Sequence, residues 1–409
     1  MQTNLAQWAR ESKLGQEADD ILRRCVHCGF CTATCPTYQV LGDELDGPRG
    51  RIYLIKEVLE GKEPTQATQQ HLDRCLTCRN CETTCPSGVE YGHLVDIGRQ
   101  LVEEKVKRPL AQRVQRALLR EGLTSRFFAP AYKLGQSLRE WLPETLQRKV
   151  IAPRPVGPRP VTSGHARQIL LLSGCVQPTM MPSIDAATIR VLDRLGIGTQ
   201  VVAGAGCCGA LSFHLDDQER ARAQMRLNID AWLPYVESGK IEAIVMNATG
   251  CGAMVAEYAH HLRDDPVYLP KAEKIVSFVR DVAQVVSPYA QELVKHVDAS
   301  KLPKRPVFHP PCTLQHWQGL RPESEQLLTA LGMSLQAFNE SHLCCGSGGA
   351  YSVLQPEIST ALRDRKLEHL NASEPDMMLS SNIGCIGHLQ SGTDTPVRHW
   401  IEVVDAALK

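Results

Sequence analysis

Residues 25–36 read CVHCGFCTATCP, and residues 75–86 repeat the phrase as CLTCRNCETTCP. Both follow the spacing C-x2-C-x2-C-x3-C-P of bacterial ferredoxins, in which three thiolates hold one iron–sulfur cluster and the fourth cysteine ligates the other cluster. Neither phrase can therefore complete a cluster alone, and the proline after each fourth cysteine turns that cysteine away from its own group. The spacing predicts one [4Fe–4S] cluster on Cys25, Cys28, Cys31 and Cys85, and a second on Cys35, Cys75, Cys78 and Cys81.

A pair of four-cysteine zinc sites is the alternative. Structural zinc sites normally use two separated C-x2-C pairs, and three cysteines in one C-x2-C-x2-C run would crowd a tetrahedral ion. The whole pattern occurs twice, which favours iron–sulfur clusters. His27 lies inside the first loop. Because the cysteine set is complete without it, we expect a tuning or surface role rather than a ligand.

The composition limits the classes of function. The chain has 409 residues, with 45 basic and 45 acidic side chains, so its balanced charge argues against a nucleic-acid partner. The N-terminal residues lack the apolar core of a signal peptide, and no apolar run is long enough for a transmembrane helix. We therefore expect a cytoplasmic protein whose membrane contact, if any, is peripheral. Sixteen cysteines in a reducing compartment indicate metal ligands or redox groups.

Helical patterns frame the two cysteine phrases. Pro48 is a plausible helix start, and the apolar residues that follow at helical spacing are Ile52, Ile55, Val58 and Leu59. Ser87 and Glu90 have capping-box spacing and predict the start of a second helix. Residues 1–106 are therefore predicted to form an α-helical ferredoxin domain. Tyr53 and the Arg49-Gly50-Arg51 turn lie between the clusters, where ordinary packing is a commoner role than control of potential or partner contact.

Residues 107–166 are predicted to be a basic helical segment followed by a proline-rich linker. The basic residues are Lys107, Arg108, Arg113, Arg116, Arg120, Arg126, Lys133, Arg139, Arg148 and Lys149, against Glu121, Glu140 and Glu144. Such a run can be a docking surface for an anionic membrane or a partner subunit, although a solvated helix face is the commoner reading. The stretch APRPVGPRPV, residues 152–161, favours an extended connector and marks a domain boundary.

A second, longer repeat fills the remaining chain. Cys175, Cys207, Cys208 and Cys251 recur in the same order as Cys312, Cys344, Cys345 and Cys385. A strand-like run precedes the first cysteine of each copy, QILLLSG in one and RPVFHP in the other, and a helical pattern such as AATIRVLDRLGI follows. This alternation predicts two similar cysteine-rich α/β domains on small, mainly parallel sheets, at residues 167–300 and 301–409.

The role of these eight cysteines is open between two readings. The stretch GAGCCG, residues 204–209, formally matches a dinucleotide-binding fingerprint, but the second copy reads SHLCCG and keeps only CCG, which argues against a nucleotide site. Adjacent cysteines can place two thiolates on one metal cluster, and the flanking glycine permits the tight backbone. The alternative is a pair of buried thiol groups that only pack.

The combined pattern resembles a known family. Two ferredoxin phrases followed by two CCG domains are similar to heterodisulfide reductase subunits, the anaerobic glycerol-3-phosphate dehydrogenase C subunit and lactate-utilisation iron–sulfur proteins. The stretches HLDRCLTCRNCETTCPSGV, SHLCCGSGGAYSVL and VRHWIEVV further resemble the iron–sulfur subunits of bacterial glycolate oxidase (glycolate dehydrogenase). The resemblance implies an α+β multidomain fold and carries the cluster ligands onto the eight N-terminal cysteines.

The resemblance also implies a function. The chain would be an electron-transfer subunit without catalytic residues of its own, inactive alone, in a complex at the cytoplasmic face of the bacterial inner membrane. FAD in partner subunits would oxidise glycolate, or also D-lactate, and electrons would pass toward quinone. One departure concerns the CCG domains: the heterodisulfide reductase motif ends in C-x-x-C, whereas Cys251 and Cys385 are not followed by that final cysteine, so the resemblance does not carry over the noncubane clusters of that relative. Two alternatives are a catalytic CCG site in a related oxidoreductase (lactate, glycerol-3-phosphate or heterodisulfide) and a zinc-stabilised scaffold.

Overall fold

The computed structural model describes residues 1–160 and 164–409. Residues 161–163, at the end of the predicted proline-rich linker, lie outside the described residues. The chain forms two compact units. Unit 1 comprises Met1–Arg116 and His342–Lys366, and unit 2 comprises Ala117–Ser341 and Leu367–Lys409. A segment of the second cysteine-rich repeat thus belongs to the N-terminal unit, whereas the four-part division predicted from the sequence stays a prediction.

Unit 1 is helical in its described residues. Its helices are α1 Gln7–Glu11, α2 Lys13–Arg24, α3 Phe30–Ala33, α4 Pro36–Leu41, α5 Pro48–Leu59, α6 Gln66–Asp73, α7 Asn80–Thr83, α8 Tyr91–Lys105 and α22 Tyr351–Leu354, with a 3₁₀ turn at Glu44–Asp46. The predicted helix between the cysteine phrases is confirmed as α5, with Pro48 in its first turn, where a missing amide hydrogen costs nothing. Its buried side chains Ile52, Ile55 and Leu59 pack into the core of this unit.

The predicted capping box before α8 is wrong. The helix begins at Tyr91, and Glu90 is its N-cap residue without a side-chain capping bond. The Glu90 carboxylate pairs with Arg24 instead, at 2.5 Å. The predicted helix itself is confirmed, and its apolar side chains Leu94, Ile97 and Leu101 are buried.

Unit 2 contains two parallel sheets. The first has strand order β2-β1-β3-β4 and the second β5-β6-β7. The strands are β1 Arg167–Leu171, β2 Ile197–Gln200, β3 Ala243–Met246, β4 Val279–Asp281, β5 Pro306–Phe308, β6 Met377–Ser380 and β7 Val397–His399. Leu170 pairs with Gln200 of β2 on one side and with Ile244 of β3 on the other, so β1 lies between two strands. The last three residues of β1, Ile169–Leu171, are apolar and buried.

Helices separate these strands, as alternating βα units require. They are α12 Gln177–Met180, α13 Pro182–Arg194, α14 Ala210–His214, α15 Gln218–Glu237, α16 Thr249–Ala256, α17 Tyr258–His261, α18 Leu269–Phe278, α19 Val282–Val286, α20 Ala290–His296, α21 Arg321–Ala330, α24 Ile383–Gln390 and α25 Trp400–Ala406, with a π-helical turn at Thr313–Trp317. Two further helices, α9 Leu110–Thr124 and α23 Pro356–Asn371, continue from one unit into the other along the chain. The predicted strands at β1 and β5, the helix α13 and the α+β fold class are confirmed.

The basic segment is helical, as predicted. After α9 come α10 Phe128–Ser137, a 3₁₀ turn Arg139–Trp141 and α11 Glu144–Gln147. Part of its charge serves ion pairs: Arg108 and Arg116 pair with Asp73, and Arg120 pairs with Asp217. Across residues 1–160 and 164–409, none of the helices combines the length and apolar character needed to cross a bilayer.

Candidate metal centres

The two ferredoxin-like loops follow the same backbone path. In the first loop His27 and Gly29 have φ of 58° and 82°, and in the second Thr77 and Arg79 have φ of 50° and 58°. Left-handed backbone is costly for residues with a Cβ. Its recurrence at matching positions indicates that both loops are held in one required shape. Each loop then enters a short helix, α3 or α7, that carries the third cysteine of its phrase.

The first predicted set of thiols is brought together across the two phrases. Burial, together with the neighbouring thiols of Cys25, Cys85 and Cys28, raises the pKa of Cys31 to about 11. The same four cysteines line one cavity, along with apolar side chains from α5 and from the loop after Cys85. Cys28 is exposed, so this set lies at the surface of unit 1.

The second predicted set is brought together in the interior. Cys35, Cys75, Cys78 and Cys81 are all buried. Burial raises the pKa of Cys81 well above its ordinary value, and the thiols of Cys78, Cys75 and Cys35 raise it further. The fourth cysteine of the first phrase thus lies with three cysteines of the second, which is the exchange that the ferredoxin spacing requires.

Polar groups surround the sulfurs of the second set. The Thr37 hydroxyl lies 3.3 Å from Cys35 Sγ, the Thr77 amide donates to Cys75 Sγ at 3.4 Å, and Tyr91 Oη donates to the same sulfur at 3.7 Å. Hydrogen bonds to cluster sulfurs stabilise the more negative, reduced state and are one of the ways a protein sets a cluster potential.

Arg51 supplies a buried positive charge to the second set. Its side chain is 1% exposed, its Nε donates to His71 O at 2.7 Å and its Nη1 donates to Thr37 Oγ1 at 3.1 Å. Burial by itself would lower the pKa of Arg51. The pKa is nevertheless raised above its ordinary value, because the acidic groups nearby have a larger combined effect; they are Cys75, Tyr91, Cys35 and Asp46. Within the described residues its Nη2 makes no hydrogen bond and lies 3.5 Å from Asp46.

These features fit an anionic thiolate cluster. Four soft sulfur donors meet in each set, and a cubane with four thiolates carries net negative charge. A guanidinium with an unfilled donor, buried beside two of those sulfurs, is the complement such a group needs. The first set has a more exposed counterpart in Arg49, whose charge interacts with Cys31 although its main partner is Glu44 at 2.6 Å.

The thiols of the first CCG repeat also form one group. Cys175 follows β1, Cys207 and Cys208 follow β2, and Cys251 lies in α16 after β3. Cys175 and Cys208 donate hydrogen bonds to Cys207, which lower the pKa of the Cys207 thiol, and Cys208 also bonds with Cys251. All four therefore meet at the carboxyl edge of the first sheet, where parallel α/β folds place their sites.

A buried polar network fixes the CC pair of this repeat. Asn228 accepts from Gly206 N at 2.8 Å and donates to Cys207 O at 2.9 Å. Tyr258 Oη donates to Cys208 O at 2.8 Å and accepts from Asn228 at 2.9 Å. Both side chains are fully buried, so the pair is held from two sides. Sequence reasoning missed these two residues, since neither belongs to a cysteine motif and both lie far along the chain from the CC pair that they support.

The cysteines of the second CCG repeat are divided between the units. Cys312, after β5, and Cys385, in α24, belong to unit 2, where Asn382 Nδ2 lies 3.6 Å from Cys385 Sγ. Cys344 and Cys345 belong to unit 1 and are buried there. The grouping of all four as one set stays a prediction.

Within unit 1, residues 342–351 lie against the second ferredoxin-like loop. Asn80 Nδ2 donates to His342 O at 3.2 Å, and Tyr351 Oη donates to Arg74 O at 3.0 Å. Burial raises the pKa of the Cys78 thiol, and the neighbouring thiol of Cys344 raises it further. Nothing in the sequence signals this contact between positions so far apart along the chain.

Comparison with known proteins matches these features. Residues 21–89 match the 4Fe-4S dicluster domain, and residues 169–256 and 307–390 match the cysteine-rich CCG domain. The glycolate oxidase iron-sulfur subunit of Escherichia coli (strain K12) is 51% identical over 415 residues, covering 100% of both chains. The chain belongs to this family of iron–sulfur subunits.

More distant relatives match most or part of the chain. The probable glycolate oxidase iron-sulfur subunit of Bacillus subtilis (strain 168) is 30% identical over 91% of this chain and 89% of its own length. Lactate utilization protein A of Exiguobacterium sp. (strain ATCC BAA-1283 / AT1b) is 25% identical over 59% of this chain and 98% of its own. The resemblance drawn from the cysteine phrases is confirmed, and this family member carries iron–sulfur cluster domains.

Proposed function

We propose that this chain is the electron-transfer subunit of a glycolate oxidase complex. The observation that carries the proposal is the grouping of eight thiols into two sets, each completed by a cysteine from the other phrase. Its relatives named as glycolate oxidase iron–sulfur subunits support glycolate as the donor. The lactate utilization relatives support lactate as a second donor.

The two sets of cysteines would be the cluster ligands, and the side chains around them would control the environment of the clusters. Cys25, Cys28, Cys31 and Cys85 would hold one [4Fe–4S] cluster, and Cys35, Cys75, Cys78 and Cys81 the other. Bound clusters supply one-electron carriers, so an electron pair can leave a flavin one electron at a time. The chain's own side chains exclude water from the second set and place Arg51 and the hydroxyl groups against its sulfurs. We assign the thiols of the CCG domains to further clusters or redox groups.

The hydride chemistry belongs to partner subunits that carry FAD. Oxidation of glycolate to glyoxylate releases two electrons and two protons, and FAD accepts the electron pair. This chain relays both electrons to a quinone, which takes up two protons to become the quinol. We place the complex peripherally on the cytoplasmic side of the inner membrane, and we expect the isolated chain to be inactive with glycolate.

The exchanged cysteines give a direct test. In the anaerobically purified complex, Cys85→Ser should perturb the electron paramagnetic resonance (EPR) signal of the exposed cluster, which is the one on the first set of cysteines. It should leave the signal of the buried cluster, on the second set, unchanged. Cys35→Ser is the matched control and should do the opposite. If Cys85→Ser instead damaged only the cluster on Cys75, Cys78 and Cys81, the ligand assignment would be wrong.

Metal analysis separates this proposal from its rivals. Iron and sulfide in equal amounts, with glycolate-dependent reduction of a soluble acceptor by the complex, are expected. Stoichiometric zinc, with full activity retained by Cys28→Ser, would favour a scaffold. Glycolate oxidation by the isolated chain would favour a catalytic CCG site.

A further inference from the structure

Helix α10 and the turn after it are fixed to unit 2 by one side. The Ile151 amide donates to Tyr132 Oη at 3.1 Å, Gln136 Nε2 donates to Ile151 O at 3.0 Å, and Arg139 Nε donates to Val150 O at 2.8 Å. Phe128 lies one turn before Tyr132 on this side, with its ring centroid 5.7 Å from the tyrosine ring. The orientation of the helix is thereby set by its inner side.

The other side of this segment is apolar and uncovered. Phe127, Leu134, Leu138 and Trp141 follow one another at intervals of seven, four and three residues, which places them on one face. Their exposed fractions are 65%, 61%, 47% and 86%. No described residue of α10 is fully buried. We call these four side chains the outer face. Exposed apolar groups at such spacing mark an interaction site.

Positive charge borders the outer face. Arg126 and Lys133 are exposed, each next to a member of the face, and the Arg126 guanidinium lies 4.9 Å from the centroid of the Phe127 ring. Residues 126–149 contain five basic and two acidic side chains. One of the acidic side chains, Glu144, is paired with Arg148 at 3.1 Å. The bordering charge suits an anionic surface.

We propose that the outer face rests on an anionic phospholipid bilayer, with Phe127, Leu134, Leu138 and Trp141 in the headgroup region and Arg126 and Lys133 at the lipid phosphates. Aromatic and leucine side chains on one face, bordered by Lys and Arg, are the composition of interfacial helices. The excess of basic over acidic side chains at residues 126–149 complements the negative charge of lipid phosphates, which favours an anionic bilayer as the occupant. This inference names the surface through which the complex contacts the membrane, and it rests on the peripheral membrane location proposed above.

Vesicle flotation of the purified full-length protein tests the inference. Wild type should float with vesicles of phosphatidylglycerol and phosphatidylcholine, and much less with phosphatidylcholine alone. Leu134→Glu combined with Leu138→Glu should weaken binding by about tenfold or more, since two apolar side chains leave the lipid and two negative charges approach it. Val267→Glu, at another exposed apolar position of unit 2, is the matched control and should bind as wild type.

Trp141 provides a second readout. Its emission should shift to shorter wavelength on addition of the anionic vesicles, and Trp141→Phe should abolish that shift. Binding should also fall with added salt and with Arg126→Glu and Lys133→Glu. Wild-type protein that ignores anionic vesicles, or Glu variants that still bind them, would overturn the proposal. Variants that keep vesicle binding but lose their partner subunits would assign the outer face to protein contact instead.

The two proposals can fail separately. Glycolate-dependent reduction of a soluble acceptor by the complex, and the iron content, should be the same in the outer-face variants and in wild type. Loss of vesicle binding with that activity intact supports the membrane surface. An inactive, iron-free wild-type complex that still binds vesicles would refute the electron-transfer function alone.

Discussion

Arg51 shows how one buried charge can distinguish two otherwise similar sites. It lies in the same turn of α5 as Arg49, yet Arg49 is 40% exposed beside the first thiol set and Arg51 is 1% exposed beside the second. Charge in a buried position is screened far less than charge in water. We therefore expect clusters bound by the two thiol sets to differ in how strongly a neighbouring arginine favours the reduced state.

Replacing Arg51 by Met should lower the reduction potential of the buried cluster, because the reduced cluster loses a stabilising positive charge. We expect the ratio of reduced to oxidised cluster at a fixed potential to fall about tenfold, which is about 59 mV for a one-electron couple. A redox titration followed by EPR measures it. Arg51→Lys keeps the charge and should retain most of the potential, and Arg49→Met should leave this cluster unchanged. An unaltered potential in a fully loaded Arg51→Met protein would contradict the role.

At the scale of elements, ion pairs join the end of α6 to the basic segment. Asp73, in the last turn of α6, pairs with Arg108 and with Arg116 of α9. Its Oδ1 lies 3.1 Å from Arg116 Nη2. Burial raises the pKa of Asp73, but the hydrogen bond from Arg108 and the charges of both arginines outweigh it and lower the pKa. A basic residue counted as surface charge from the sequence is therefore part of the structure of unit 1.

Asp73→Asn should destabilise unit 1 by about 2 kcal/mol at neutral pH, since Arg108 and Arg116 lose the charge of Asp73, although Arg108 keeps its ion pair with Glu103 at 2.6 Å. The native pKa lies below the unfolded value of about 3.9, so this contribution is present above that pH and is lost as the pH falls through the native pKa. Denaturant unfolding of wild type and variant at several pH values measures the difference. A difference that stayed constant down to the most acid pH would exclude the charge as its source.

At the scale of the whole molecule, unit 2 is held together by contacts between its two CCG repeats. The Thr249 amide donates to Ser381 O at 3.2 Å, and the hydroxyls of Thr249 and Thr313 lie 2.9 Å apart. His399 joins the repeats through Nε2, which donates to Asn247 O at 3.0 Å, while its Nδ1 accepts from Ile401 N at 3.1 Å and caps α25. The beginnings of the helices that carry Cys251 and Cys385, α16 and α24, are thus coupled.

His399 predicts a pH dependence for unit 2. Burial lowers the pKa of His399 to about 4, below the unfolded value of about 6.5, so its neutral form is fully present in the folded state above the latter pH. Stability should fall by about 1.4 kcal/mol per pH unit as the pH drops from about 6.5 toward the native pKa. His399→Asn can still cap α25 and should remove this slope, as measured by denaturant unfolding. An equal slope in the variant would assign the pH dependence to another group.

The sequence by itself determined the class of this protein and its metal chemistry. Three of the four ligands of each predicted iron–sulfur cluster lie close together along the chain, so C-x2-C-x2-C-x3-C-P can be read directly. Helical and strand periodicity are equally local, and they predicted α5, α13, β1 and the repeated α/β domains. The pairing of Cys85 with the first phrase was also predicted, because the fourth cysteine of this spacing serves the other cluster.

Only the tertiary structure decided which residues surround those thiols. The burial of Arg51, the contact of residues 342–351 with the loop at Cys78, and the support of the CC pair by Asn228 and Tyr258 join positions far apart in sequence. The sequence likewise could not predict that the outer face of α10 is exposed, since an amphipathic pattern does not say whether its apolar residues face inward or outward. Burial and long-range contact are properties of the packed chain, and no local spacing encodes them.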